Sequence, residues 1–256
     1  MATKRPDGSL YTNIHNKVAD LEFGHPAGNS CGSELLARLE SELIALSTNE
    51  AVSVIVLRSE GEGPFCAGAS LEELVAISNL EEGKAFFGGF ARVINAMRLC
   101  TKPIFCRVQG KTVGGGVGLV AACDYVYAVE GASIRLSELS IGIGPLVIAP
   151  AVERKIGKSG LAELALAPTE WKNAYWAREK GLYARVFEGL SELDKELDFH
   201  AEQLAGYSPE ALKALKAILW EGTDQWGQLL SKRAEMSGRL ALTTFTRQAL
   251  EKFRKK

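Results

Sequence analysis

A chain of 256 residues and 27.6 kDa, 46% of them hydrophobic, can bury a substantial core as one domain or as one domain with an appendage. Its 30 basic and 31 acidic residues leave a net charge of −1, which excludes the broad positive field that draws proteins to nucleic acid or anionic membrane. Small molecules and further copies of the chain are the expected partners.

Residues 17–23 alternate apolar and polar side chains, the period of a half-buried strand, and residues 24–29 break it with Gly, Pro and Asn. Leucines at steps of three and four then predict an amphipathic helix over 34–46, followed by a short β-branched run at 52–57 that suits a buried strand. A loop of small residues, 61–70, leads to predicted helices at 71–77 and 82–99, and 103–108 reads as the next strand. After residues 109–124, the strands 125–129 and 134–136 are expected, with a glycine-punctuated loop at 137–145. Helices are predicted at 148–156, 159–166 and 170–180, and a strand at 184–187. From 192 onward the chain is helical in character, with segments at 192–205, 209–220 and 225–253. Pro209 sits where the first turn of a helix tolerates it.

Residues 109–124 form the centre of this arrangement. Gly114, Gly115 and Gly116 separate a β-rich run from a small, apolar helix ending at Asp124. Three consecutive glycines at a helix start remove every side chain where backbone N–H groups are unpaired and the helix dipole is positive. Such a turn can hold an anion, or an oxygen that becomes anionic, or it can be a plain packing turn. It matches neither a Walker loop nor the dinucleotide fingerprint.

Cys31, Cys66, Cys100, Cys106 and Cys123 are odd in number, contain no C-x-x-C pair and lie largely in apolar runs, so free buried thiols of a reducing compartment are expected. No apolar leader and no run of about 18 apolar residues is present, which gives the expectation of a soluble, cytoplasmic protein. His15, His25 and His200 show no ligand spacing, and no metal is expected.

The ordered set of motifs resembles the enoyl-CoA hydratase/isomerase, or crotonase, family. It comprises Phe65-Cys66-Ala67-Gly68-Ala69, Gln109-Gly110 with the triple glycine, Ala122-Cys123-Asp124, Glu138 with Gly142 and Pro145, Arg154-Lys155-Ile156-Gly157, and Gly181-Leu182 with Val186-Phe187. The resemblance implies an α/β fold: a spiral of ββα units over residues 1–190, with a helical C-terminal trimerisation region over 191–256. The assembly would be a homotrimer, or a hexamer formed as a dimer of trimers. The implied substrate is an acyl-CoA thioester, so coenzyme A belongs to the substrate and no separate cofactor is expected.

The same resemblance implies an oxyanion hole built from the N–H groups of Ala67 and Gly115, with Cys66, Gly68, Ala69, Gly114 and Gly118 lining the substrate site. Two preorganised donors of this kind stabilise the charge that develops on a thioester oxygen when a neighbouring carbon loses its proton. Lys252, in the basic C-terminal stretch, is a candidate for the 3′-phosphate of coenzyme A. Relatives often carry a basic residue just after the proline that matches Pro26, whereas Ala27 follows here.

Hydratases of the family carry two glutamates, and this chain has Gly118 at the first position and Glu138 at the second. One base suffices to move a proton between two carbons, so an enoyl-CoA isomerase using Glu138 is the expected activity. An enoyl-CoA hydratase with a second acid from elsewhere, Glu72, Glu73 or Tyr175, is the alternative, and a family member that binds acyl-CoA without turnover is a further one. Gly118→Glu is expected to restore hydration if the pocket is otherwise hydratase-like.

Overall fold

The structure, a computed structural model, describes residues 7–254. Its first two strands, β1 (Ser9–His15) and β2 (Val18–Gly24), form an antiparallel hairpin closed by Asn16 and Lys17, both at positive φ. A two-residue turn of that hand follows the twist of the strands it joins. β1 falls outside the strands expected from sequence. It lies at the sheet edge with four of its seven residues exposed, so it lacks the alternation that marks a half-buried strand.

The chain continues through α1 (Ser33–Thr48), β3 (Val54–Ser59), α2 (Leu71–Ala76) and α3 (Leu80–Leu99). Then come β4 (Ile104–Val108), β5 (Thr112–Val113), α4 (Gly115–Ala122), β6 (Tyr125–Val129), β7 (Ser133–Arg135) and a 3-10 turn (Glu138–Ile141). α5 (Ala149–Ala165), β8 (Lys172–Asn173), α6 (Ala174–Glu179) and β9 (Arg185–Phe187) lead to the helices α7 (Leu190–Ala205), α8 (Pro209–Leu219), α9 (Trp226–Ala241) and α10 (Thr244–Arg254).

Two sheets result. The larger has the order β1-β2-β3-β4-β6-β9 and is parallel beyond the first hairpin, and the smaller has the order β5-β7-β8. Isolated parallel bridges, Cys31 to Ala69 and Cys66 to Thr112, carry the smaller sheet's pairing back to earlier parts of the chain. The chain therefore repeats one path: a strand in the large sheet, an extended stretch at the small sheet, then a helix. Buried leucines of α1, the β-branched residues of β3 and the small apolar face of α4 fill one continuous core.

The helix expected over 170–180 begins later. Asn173 ends β8 and caps α6, its Oδ1 accepting from the Trp176 N–H at 2.9 Å. Gly157, at φ 70° and ψ 170°, breaks α5 between the two helices expected there. The boundary drawn at residue 190 separates α7 from the sheet on which it packs. Leu193, Leu197, Ala201 and Ala205 are buried in the main core, and Arg58 of β3 and Arg107 of β4 pair with Asp194. α9 is held equally close, lying against α3 where Gly83 and Gly238 let the two backbones meet. No helix among the described residues is long and apolar enough to cross a membrane.

Candidate active site

The two glycine-containing loops lie side by side because both leave the small sheet at neighbouring positions. Cys66 bridges to Thr112, the Val113 N–H donates to the Cys66 carbonyl at 2.9 Å, and the Cys66 N–H reaches the Lys111 carbonyl at 3.4 Å. Residues 66–69 thus run against residues 112–116 just before each enters or approaches a helix.

The backbone hydrogen bonds of the first loop single out one donor. Ala67 N–H donates to the Gly28 carbonyl at 3.0 Å, Gly68 N–H to the Cys66 sulfur at 3.4 Å, and Ser70 N–H to the Cys31 carbonyl at 3.0 Å. Ala69 N–H has no acceptor among the described residues. The donor expected at Ala67 is therefore engaged in holding the loop, and the free group lies two residues on. In the second loop, Gly114 N–H donates to the Arg135 carbonyl at 2.9 Å, while Gly115 N–H, the first of α4, has no acceptor among the described residues.

Each of the three glycines answers a different neighbour. Gly114 has φ 53° and ψ −121°, which side chains rarely adopt, and a Cβ there would lie 2.9 Å from Glu138 Oε1. At Gly115 a Cβ would fall on the ring of Phe90. At Gly116 it would lie 2.6 Å from the Cys66 Cβ. The turn is a packing device and carries an unpartnered donor as well, so the two readings of the sequence are compatible.

Glu138 opens the 3-10 turn, and its carboxyl lies over Gly114. The residue is half-buried, but Oε2 is shut off from solvent and has no hydrogen-bond partner among the described residues. Burial raises its pKa from 4.5 to about 7, opposed only by a hydrogen bond from its own backbone. An acceptor poised near neutrality, over the turn that carries the unpartnered Gly115 N–H, is suited to general acid–base chemistry. The outside of the turn is walled by α10, since a Cβ on Gly142 would meet Phe245 and Thr246.

The place of a second acid is filled. A Cβ on Gly118 would fall inside the Ile148 side chain, with Ile94 Cδ1 at 3.6 Å. The carboxylate of Glu73 accepts from the Ser33 backbone N–H at 2.9 Å at the start of α1, and Tyr175 donates to Glu130 on the surface. Glu72 is exposed on α2. Ser70 caps α2 by accepting from the Glu73 N–H at 3.2 Å. Cys66 is wholly buried, so its side chain packs beneath the site. Lys252 is exposed on α10 and is not brought to residues 66–69 or 114–118 by any recorded contact. No cluster of three or more His, Cys, Asp or Glu side chains suited to a metal occurs among the described residues.

The architecture is that of crotonase-like proteins: a solved enoyl-CoA hydratase from Bacillus halodurans superimposes with a TM-score of 0.88 over 95% of this chain and 99% of that one, at 22% identity. The sequence profile of the enoyl-CoA hydratase/isomerase family matches residues 13–254, and the chain belongs to that family. Among its relatives is a peroxisomal Δ(3,5)-Δ(2,4)-dienoyl-CoA isomerase of Arabidopsis thaliana, 30% identical over 84% of this chain and 79% of the relative. A probable enoyl-CoA hydratase of Rhizobium meliloti is also 30% identical, over 82% of this chain and 80% of the relative.

Proposed function

We propose that the protein is an enoyl-CoA isomerase that works with one base. The thioester oxygen of a 3-enoyl-CoA accepts hydrogen bonds from Ala69 N–H and Gly115 N–H. Glu138 removes a proton from the carbon next to the carbonyl, negative charge spreads onto the oxygen, and the same carboxyl returns the proton two carbons further along. Losing one of two such donors commonly costs about 3 kcal/mol of transition-state stabilisation. Gly115 N–H is kept in this proposal because it has no acceptor among the described residues, and Ala69 replaces the Ala67 expected from sequence because Ala67 N–H is bound to Gly28.

The observation that carries isomerisation over hydration is the Ile148 side chain packed against Gly118. Hydration needs a second group to hold and activate water, and here an apolar side chain occupies that place. Mass spectrometry after chromatography that separates 2-enoyl- from 3-enoyl-CoA, run on a panel of both, tests the reading, because hydration adds one water whereas isomerisation moves the double bond at unchanged mass. Isomerised 3-enoyl-CoA without a hydrated product is expected. Efficient hydration would return the hydratase reading, and no turnover with tight binding would make the chain an acyl-CoA binder.

The proposed assembly is a trimer or a pair of trimers, supported by the exposed Leu215, Ile218 and Leu219 on α8. The five cysteines are all buried and unpaired, which suits a reducing compartment such as the cytoplasm.

A further inference from the structure

The geometry points to Cys66 as a positioning residue that sets the spacing and aim of the two oxyanion donors, an inference that rests on the function proposed above. The free N–H of Ala69 belongs to the same peptide plane as the Gly68 carbonyl, and in a trans peptide the two point in opposite directions. That carbonyl is fixed from behind: Cys31 N–H donates to it at 2.8 Å, and the Cys66 thiol lies 3.7 Å from it. The Cys66 sulfur also accepts from the Gly68 N–H at 3.4 Å and lies 3.9 Å from the Cys31 sulfur. Holding the carbonyl inward aims the Ala69 N–H outward.

The same side chain touches the other donor's turn. A Cβ on Gly116 would lie 2.6 Å from Cys66 Cβ and 2.9 Å from its sulfur, so Cys66 rests directly on the main chain beside Gly115. Cys66 is 0% exposed and does not reach substrate. One buried side chain therefore separates the loop bearing Ala69 from the turn bearing Gly115, and its size and hydrogen bonds fix how the two N–H groups converge on one oxygen.

Three measurements on purified Cys66→Ala, Cys66→Ser and Gly116→Ala variants test this: kcat and KM on a 3-enoyl-CoA, thermal midpoint, and the enolate absorption of bound acetoacetyl-CoA. The last reads the donors directly, because a 3-ketoacyl thioester enolises when its oxygen is stabilised. Cys66→Ala is expected to lower kcat about tenfold, less than the 10²–10³ for losing a donor outright, with KM within about threefold and a weakened enolate band. Cys66→Ser keeps an acceptor and a donor at the same place and is expected to recover most of both signals. Gly116→Ala pushes on the same contact from the other side and is expected to weaken the band likewise.

A Cys66→Ala variant with wild-type kcat and enolate band, whatever its thermal midpoint, overturns the inference. If that variant does not fold, a Gly116→Ala variant with wild-type kcat and band overturns it instead. A wild-type protein that shows no enolate band at all removes the oxyanion hole and the inference together, whereas a strong wild-type band unmoved in the variants removes Cys66 alone.

Discussion

The catalytic role proposed for Glu138 and the stability of the fold meet in one property, the burial of its carboxyl. A carboxyl whose pKa rises from 4.5 to about 7 on folding holds its proton more tightly in the folded state, so the folded protein binds more protons than the unfolded one between those values. Stability contributed by the protonated form is complete below about pH 4.5 and is lost as pH rises through 7, by an amount on the order of 3 kcal/mol. The base, however, must be ionised to act, so turnover is expected to rise with pH through about 7. Glu138→Gln should therefore lower kcat by about two to four orders of magnitude while raising the thermal midpoint at pH 8 relative to wild type. Parallel pH profiles of kcat and of denaturant unfolding for both proteins check this, and a variant less stable than wild type at pH 8 would contradict the burial argument. Gly118→Glu, expected from sequence to restore hydration, instead drives a side chain into Ile148. Overpacking of that kind destabilises by about 1–3 kcal/mol or more, and the variant should show a lowered thermal midpoint and no hydrated product. Hydration appearing in Gly118→Glu alone would show that Ile148 yields easily.

At the scale of elements, α4 is held at both ends. Its N-terminus offers the Gly115 donor, and its C-terminal boundary leads into Asp124, which is gripped from three other elements. Lys216 of α8 meets Asp124 Oδ2 at 2.6 Å, Trp220 Nε1 donates to Oδ1 at 2.9 Å, and the Ile104 backbone N–H donates to Oδ2 at 2.7 Å. Lys155 of α5 reaches the Asp124 carbonyl at 2.9 Å. Both members of the Lys216–Asp124 pair are buried, so removing one leaves an uncompensated charge inside the protein. Lys216→Met is expected to cost about 3–5 kcal/mol, read as a fall in the denaturant midpoint. A change under about 1 kcal/mol would mean that Lys155 neutralises Asp124 unaided. Gly115→Pro acts at the other end of the same helix. Proline is tolerated at a first helical position but has no N–H. Its Cβ would also fall on the Phe90 ring, so the expected result is a lowered thermal midpoint together with no measurable isomerisation, and substantial residual turnover would remove Gly115 from the mechanism.

For the whole molecule, periodicity and the glycine signals made most of the architecture legible. The buried strands, the amphipathic α1 and the turn into α4 follow from side-chain patterns within single segments. What stayed hidden depends on partners distant in sequence. Whether the N–H of Ala67 or of Ala69 is free turns on pairing with Gly28 and Cys31, and whether Gly118 leaves space turns on Ile148, thirty residues later. β1 was missed because an edge strand need not alternate, although Asn16-Lys17 between two β-rich runs was an available turn signal. The proposed assembly belongs to this scale as well. Ile218→Glu on the exposed face of α8 should reduce a trimer to monomers in sedimentation, with isomerase activity falling if subunit contacts steady the Asp124 end of α4. Unchanged sedimentation would place the subunit contact elsewhere.

The wall that α10 places against the turn of Glu138 has a consequence for synthesis. Phe245 and Thr246 leave the ribosome more than a hundred residues after Glu138, when the sheets and α4 have already emerged. A nascent chain can hold a nearly finished core yet lack the helix that walls this turn. The proposed proton transfer would then await α10 rather than build up gradually along the chain, and a polypeptide cut short before Phe245 would retain much of the fold with the Glu138 turn unbacked at Gly142.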